Sequence, residues 1–139
     1  MNKKEIAALY DSAERQWQSG KLTGENARNI DGGFKGCIAA FAGNVAAGGL
    51  LMAAAVFNDK KEADIDRRAL TDAINTMLRE NQLLGENPRR YGHSLLQTVR
   101  LTGPDWRNQM NLQDKVLGCA LALKHTLREF DTSGEEGDK

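Results

Sequence analysis

The chain has 139 residues, which suits one domain with a modest hydrophobic core. Its 19 basic and 19 acidic residues cancel, so no net charge favours nucleic acid or an acidic membrane surface. The two cysteines lie in separate apolar runs rather than a disulfide framework, and the charged N-terminus lacks the apolar core of an export signal. We therefore expect a cytoplasmic protein.

The N-terminal segment predicts an amphipathic helix. Asn2 and Glu5 form a start similar to a capping box. An apolar stripe then keeps helical spacing and ends before Gly20: Ile6, Leu9, Ala13 and Trp17. The stretch that follows, KLTGENARNIDGG, is predicted to be a loop.

The run from 37 to 57, CIAAFAGNVAAGGLLMAAAVF, contains no charged residue. Its length fits a membrane span, but eight alanines, three glycines and Asn44 supply too little apolar surface for one. A phosphate-binding loop is also disfavoured, because Gly49 and Leu50 occupy the places of the required Lys and Ser/Thr.

The large apolar residues around this run follow one helical stripe instead: Phe34, Ile38, Phe41 and Val45. The stripe predicts a central core helix that begins near Asp31, a suitable N-cap. Gly48 and Gly49 are expected to interrupt it and to permit a bend. A short apolar helix then continues from Leu50 to Phe57.

Three further helices are predicted in the rest of the chain. The polar connector NDKKEAD leads into a helical stripe that ends by Gly85: Ile65, Ala69, Ala73, Met77 and Leu78. Asn87 and Pro88 open the next helix, which TGPDW ends and whose apolar residues lie one turn apart: Tyr91, Leu95 and Val99. Asn111 is expected to cap the last helix, with its stripe at Leu112, Val116, Cys119, Ala120, Leu123, Leu127 and Phe130.

These segments predict an all-α fold, a single-domain bundle of five or six helices. No segment alternates for long at the two-residue period of a strand. The helical bundle domain is expected to span residues 1–130, followed by a disordered acidic tail at 131–139. The last eleven residues, EFDTSGEEGDK, contain five acids and one lysine.

No constellation of residues predicts catalysis. His93 and His125 lack the short spacing, to each other or to the cysteines at 37 and 119, that zinc sites show. Acids near the start of a predicted helix suit its N-terminal dipole better than a magnesium site: Glu62, Asp64, Asp66 and Asp72. We therefore expect no enzyme, no bound metal and no cofactor.

The basic residues are more informative. Tyr91 and Trp106 stand beside arginines, and this suits single-stranded nucleic acid, where a guanidinium binds phosphate and a ring stacks on a base. In the absence of a recognised binding motif, a solvated basic face with its aromatics turned into the core explains the same pattern.

Two stretches of the chain resemble the small α-helical subunit of the Cmr effector complex, the type III-B CRISPR RNA-guided machine. The first is GGLLMAAAVFNDK, in which Gly49 and Leu50 lead into a small apolar run. The second is SLLQTVRLTGPDWRNQMNLQDKVLGCALALKHTLREF, with the aromatic-Arg pair Trp106 and Arg107 and, further on, Lys124 after a leucine.

Three departures from that family pattern are visible. Ala122 stands where the family often has an aromatic residue, and His125 and Thr126 stand where a further basic residue is common. The acidic tail from Asp131 is additional.

The resemblance implies a non-catalytic subunit of an antiviral ribonucleoprotein, without membrane association. Such a subunit stacks with copies of itself along the guide-RNA filament, docks on other subunits and contacts guide and target RNA. Charge placement and the family pattern together give these RNA-binding candidates: Arg67, Arg68, Arg89, Arg90, Arg107, Lys124 and Arg128. Two alternatives stay open: the small subunit of the sister type III-A complex, and a helical protein–protein interaction module, homodimeric or not, without a nucleic-acid role.

Overall fold

The computed structural model describes residues 1–18, 31–58, 61–62 and 65–138, with side chains described at 1–18, 36–58 and 67–127. Its α-helices are α1 (Lys3–Ala7), α2 (Tyr10–Gln18), α3 (Asp31–Gly48), α4 (Leu50–Asn58), α5 (Arg67–Glu80), α6 (Leu95–Thr102) and α7 (Trp106–Asp138). The predicted all-α single-domain bundle is confirmed. Its helix number agrees with the prediction when α1 and α2 are counted as one interrupted arm.

The N-terminal arm packs its predicted stripe into the core. Asn2 and Glu5 form the capping box at the start of α1. The amide of Leu9 donates to the carbonyl of Ile6 at 2.9 Å, a tighter turn that separates α1 from α2. The buried indole of Trp17 donates to the Thr126 hydroxyl at 3.0 Å and so ties α2 to α7.

The charge-free run is broken where the glycines predict. α3 ends at Gly48, and Gly49 has a φ of 88°, a left-handed conformation that favours glycine. α4 then begins at Leu50. The rings of Phe41 and Phe57 meet edge to face at 5.3 Å between centroids, so the two helices share one core.

Only one face of this run is buried, and the opposite face is exposed. The inner face carries the predicted stripe residues Ile38, Phe41 and Val45, whereas Phe34 lies outside the described side chains. The outer face exposes small or apolar residues: Ala39, Ala40, Ala46, Ala47, Leu51, Met52 and Val56. No helix in the described part of the chain is long and apolar enough to cross a membrane.

α5 presents an amphipathic face to α7 and α4. Its buried residues include the predicted Ala73, Met77 and Leu78, and Leu70 and Ile74 complete the stripe. Two short antiparallel strands that the sequence does not predict precede α5: β1 (Lys61–Glu62) pairs with β2 (Ile65–Asp66), with Lys61 opposite Asp66. The prediction that Ile65 belongs to the helical stripe is therefore wrong, because α5 begins only at Arg67. Strands this short carry too little periodicity to be visible in a sequence.

Two predicted helix starts are wrong. Pro88–Arg90 forms only a 3-10 helix, and α6 begins later, after the cap Ser94, because Tyr91 and Gly92 lie in an extended segment. α7 begins at Trp106 rather than after Asn111. The cap is the Asp105 carboxylate, which accepts a hydrogen bond from the Arg107 amide at 2.8 Å.

The backbone of α7 is helical as far as Asp138, although a disordered acidic tail is predicted from 131. No proline interrupts the chain after Pro104, so nothing in the backbone chemistry enforces a stop. The division into a bundle domain and a tail stays a prediction.

Candidate nucleic-acid interface

The predicted RNA-binding residues lie at separate places along the bundle. Arg67 and Arg68 lie at the start of α5, whereas Arg89 and Arg90 follow its end. A helix of this length separates its two ends by about 20 Å. The structure therefore divides the predicted set into separate groups.

The first group makes contacts within the bundle. The guanidinium carbon of Arg67 lies 5.0 Å from the centroid of the Phe57 ring, a cation–π contact that anchors the start of α5 on α4. The Nε of Arg68 is 3.9 Å from the Asp72 carboxylate one turn further on. Both arginines thus have a structural explanation that requires no nucleic acid.

Lys124 lies on the outer surface of α7, remote from the candidate Arg107 on the same helix. It is exposed, and it follows Arg107 by 17 residues of continuous helix. The helical rise places the two about 26 Å apart. The side chain of Arg128 lies outside the described side chains.

Arg89 and Arg90 are presented by a firmly held loop. The Asn87 side chain accepts a hydrogen bond from the Arg89 amide at 3.0 Å and caps the 3-10 helix that carries both arginines. The Tyr91 hydroxyl accepts a hydrogen bond from the Leu84 amide at 3.0 Å and donates one to the Gly85 carbonyl at 2.6 Å. Tyr91 is half-buried against the core, so its ring has a structural role, as the solvated-face alternative expects.

A buried polar network fixes the far side of the same loop. The Thr98 hydroxyl donates a hydrogen bond to the Asn75 amide oxygen at 2.6 Å and accepts one from the Gly92 amide at 2.8 Å. The Gly92 carbonyl accepts from Asn75 at 2.9 Å and from Arg79 at 3.0 Å. Because these buried groups satisfy one another, the loop is locked to both α5 and α6.

α6 connects this loop to the exposed pair at the start of α7. Leu95, Thr98 and Val99 face the core, and the opposite face of α6 is exposed. We call that exposed face and the segments on either side of it the α6 ridge: Arg89, Arg90, His93, Gln97, Arg100, Leu101, Trp106 and Arg107. Trp106 is 70 % exposed, in contrast to Tyr91.

The charge on the α6 ridge has one sign. The sequence from 87 to 104 contains three arginines and no acid. Asp105 is the next acid, and its carboxylate oxygen bonds the amides of Arg107 and Asn108 at the start of α7. The ridge therefore offers guanidinium groups and one open aromatic ring to an anionic partner.

Sequence reasoning misses part of this surface. Arg79, Arg100, His93 and Gln97 do not stand among the predicted RNA-binding residues, yet all four lie on the ridge or directly beneath it. The signal that identifies them is the acid-free segment itself. A count of charges over the whole chain, 19 basic against 19 acidic, conceals it.

His125 and Cys119 both lie in structural surroundings. Among the described residues, no three His, Cys, Asp or Glu side chains come together as a metal site. The Nδ1 of His125 lies 2.7 Å from the Tyr10 hydroxyl. Burial raises the pKa of the Cys119 thiol to about 12, so this cysteine is protonated at neutral pH.

No family model, no curated protein and no solved structure matches this chain.

Proposed function

We propose that the chain is the non-catalytic small subunit of a type III CRISPR–Cas ribonucleoprotein effector complex, similar to the Cmr subunit. In this role it stacks along the guide-RNA filament and contacts target RNA. The observation that carries the proposal is the α6 ridge, where the acid-free segment 87–104 presents three arginines and Trp106 is exposed shortly after it, next to Arg107. The resemblance of the two stretches quoted above supplies the biological setting.

The chemistry of the ridge suits a single strand of RNA. Arg89 and Arg90 are held by a loop that is already ordered, so binding a phosphate there costs little further conformational entropy. At the other end of α6, Trp106 offers an open ring on which an unpaired base stacks, next to Arg107. Weak contacts from one copy accumulate when several copies share one strand.

The outer face of α3 and α4 suits the assembly part of the proposal. Between residues 37 and 57 it has no charged residue and exposes alanines, which let another protein surface approach closely, together with Leu51, Met52 and Val56. This face equally favours the second candidate function, a helical protein–protein module without a nucleic-acid role. RNA binding by the α6 ridge separates the two.

Charge reversal of the loop tests the ridge directly. The double variant Arg89→Glu/Arg90→Glu is expected to weaken binding of a labelled single-stranded RNA at least about tenfold, measured by fluorescence anisotropy. Loss of two phosphate contacts is also expected to reduce the slope of log affinity against log salt by about 1.4.

The matched control is Lys3→Glu/Lys4→Glu, the same change in charge on an exposed adjacent pair in α1. We expect its RNA affinity to stay within about twofold of the wild type at 0.15 M salt, where distant charges are screened. Equal losses in the two double variants would mean that only net charge matters, and the ridge would be the wrong surface.

A further inference from the structure

A groove opens where the junction of α3 and α4 faces the turn between α6 and α7. Its volume is about 470 Å³, within the range of small-ligand sites, about 300–1,000 Å³. Leu51 comes from one side and Met110 from the other, and they are 54 % and 43 % exposed, so apolar side chains stand open to solvent at the mouth. An aliphatic wall and a polarisable thioether suit a flat aromatic ring.

Hydrogen bonds within the chain shape the wall of the groove at the turn between α6 and α7. The Gly103 amide donates a hydrogen bond to the Arg100 carbonyl at 3.2 Å, and Gly103 has a left-handed φ of 78°. The side-chain amide of Gln109 donates a hydrogen bond to the Gly103 carbonyl at 2.8 Å and fixes the turn on α7. A ligand that enters the groove therefore does not have to order this turn.

Two polar side chains that line the groove have no bond to the part of the chain that the structure describes. Arg100 is the only charged residue among those that line it and has no ion pair there, and the amide of Gln113 has no hydrogen bond there. A guanidinium binds phosphate, and a carboxamide both donates to and accepts from the edge of one base. Apolar walls, one cation and one carboxamide together match a nucleotide.

The groove adjoins the α6 ridge. Arg100 belongs to both, and Trp106 precedes Met110 by four residues in α7, which places these two side chains on the same face of the helix. When a strand stacks one base on Trp106, a neighbouring base is close to the mouth of the groove.

We propose that the groove receives one adenine base of the strand that the ridge binds, with the phosphate of that nucleotide on Arg100. The Gln113 carboxamide accepts a hydrogen bond from the exocyclic amino group and donates one to the adjacent ring nitrogen, which is the pairing that glutamine makes with adenine. Leu51 and Met110 contact the faces of the ring. This inference rests on the proposed function, because the ridge supplies the strand, and it adds a base preference with Gln113 as the residue that determines it.

Base preference isolates the groove, because Arg100 binds a phosphate whatever the base is. Fluorescence anisotropy compares two short labelled single strands, one of adenosines and one of purine ribosides, whose bases differ only in lacking the exocyclic amino group. We expect the wild type to bind the adenosine strand at least about fivefold more tightly, the discrimination that one such contact gives. Gln113→Leu, which keeps the charge and approximate size, is expected to bind both strands within about twofold of each other and to keep the wild-type affinity for the purine riboside strand.

The matched control is Gln18→Leu, the same change at an exposed glutamine at the end of α2, outside the groove lining. We expect it to keep the wild-type preference, and circular dichroism to show both variants folded. The inference is overturned if the wild type has no preference for adenosine, if Gln113→Leu keeps the preference, or if Gln18→Leu loses it.

The double variant Arg89→Glu/Arg90→Glu separates this inference from the proposed function. It is expected to weaken binding of the two strands alike and to leave their ratio unchanged. If it leaves both affinities unchanged while the preference still depends on Gln113, the ridge is the wrong surface and the base site stands. If it weakens both strands while Gln113→Leu changes nothing, the base site is wrong and the ridge stands.

Competition with adenosine monophosphate distinguishes a base of the strand from a free nucleotide. We expect this competitor to displace the adenosine strand only at about millimolar concentration, because a single nucleotide lacks the further contacts that the strand makes with the ridge. Displacement at micromolar concentration, lost in Gln113→Leu, would assign the groove to a free nucleotide and contradict the inference.

Discussion

Tyr91 and Trp106 differ in exposure although both stand beside arginine in the sequence. The Tyr91 hydroxyl is bonded to two backbone groups of the turn after α5, so its ring is part of the loop's support. The backbone of Trp106 belongs to the first turn of α7, and its side chain is 70 % exposed. An exposed indole of this kind is the aromatic group that RNA can reach.

Cys119 gives a prediction at the same scale, because burial raises the pKa of its thiol from 9.0 to about 12. The folded chain holds this proton more tightly than the unfolded chain. The resulting stabilisation is complete below about pH 9 and is lost as the pH rises towards about 12. We expect the wild type to lose up to about 1.4 kcal/mol of unfolding free energy per pH unit in that window through this thiol alone.

Urea unfolding of the wild type and of Cys119→Ala at several pH values checks this prediction. Other titrating groups affect both proteins alike, so the difference between the two unfolding free energies isolates the thiol. The difference is expected to be constant between about pH 7 and 8.5. Above about pH 9 the unfolding free energy of the wild type is expected to fall relative to that of Cys119→Ala. Parallel profiles up to about pH 11 would contradict it.

At the scale of elements, the junction of α3 and α4 depends on one residue. Gly49 has a φ of 88°, which a residue with a Cβ adopts only under strain. Gly49→Ala is therefore expected to lower the free energy of unfolding by about 1–2 kcal/mol in urea denaturation.

Gly43 offers the matched control within the same charge-free run. It lies inside α3, and a Cβ added there would meet nothing within 4 Å. Gly43→Ala is expected to raise the free energy of unfolding by about 0.5–1 kcal/mol through helix propensity. If both substitutions shift stability in the same direction, the conformational account of the junction is wrong.

The elements also show which boundaries a sequence can predict. The break at Gly48 and Gly49 is predictable because glycine chemistry is local. The start of α7 is not, because residues 106–111 are all exposed and the apolar period begins only at Leu112. If the helix is assumed to start at the first apolar residue of the stripe, Leu112, its cap is predicted at Asn111. The cap in the structure is Asp105, six residues earlier.

Predicting the site from the sequence meets a different limit. Arg89 and Arg90 stand out as an adjacent pair, and the structure presents both on the exposed α6 ridge. The pair at Arg67 and Arg68 looks identical in the sequence. In the folded chain this pair is separated from the ridge by the length of α5, and Arg67 contacts the Phe57 ring. Both features depend on tertiary structure and cannot be read from a count of charges.

For the whole molecule, the net charge is zero, but the basic and acidic residues are concentrated in different places. The α6 ridge carries no acid from 87 to 104, while the end of α7 concentrates five acids in eleven residues. The outer face of the charge-free run 37–57 is a third surface with different chemistry. We infer that this distribution suits a subunit whose neighbours include RNA, protein and further copies of itself.

The central claim, membership of an RNA-guided effector complex, is tested most directly by affinity purification of the tagged chain from its native cell, followed by RNA sequencing and mass spectrometry of what comes with it. We predict that a short guide RNA and the large subunits of a type III CRISPR complex co-purify, and that Arg89→Glu/Arg90→Glu reduces recovery of target RNA. Purification of the chain with no guide RNA and no CRISPR subunit would contradict the proposal.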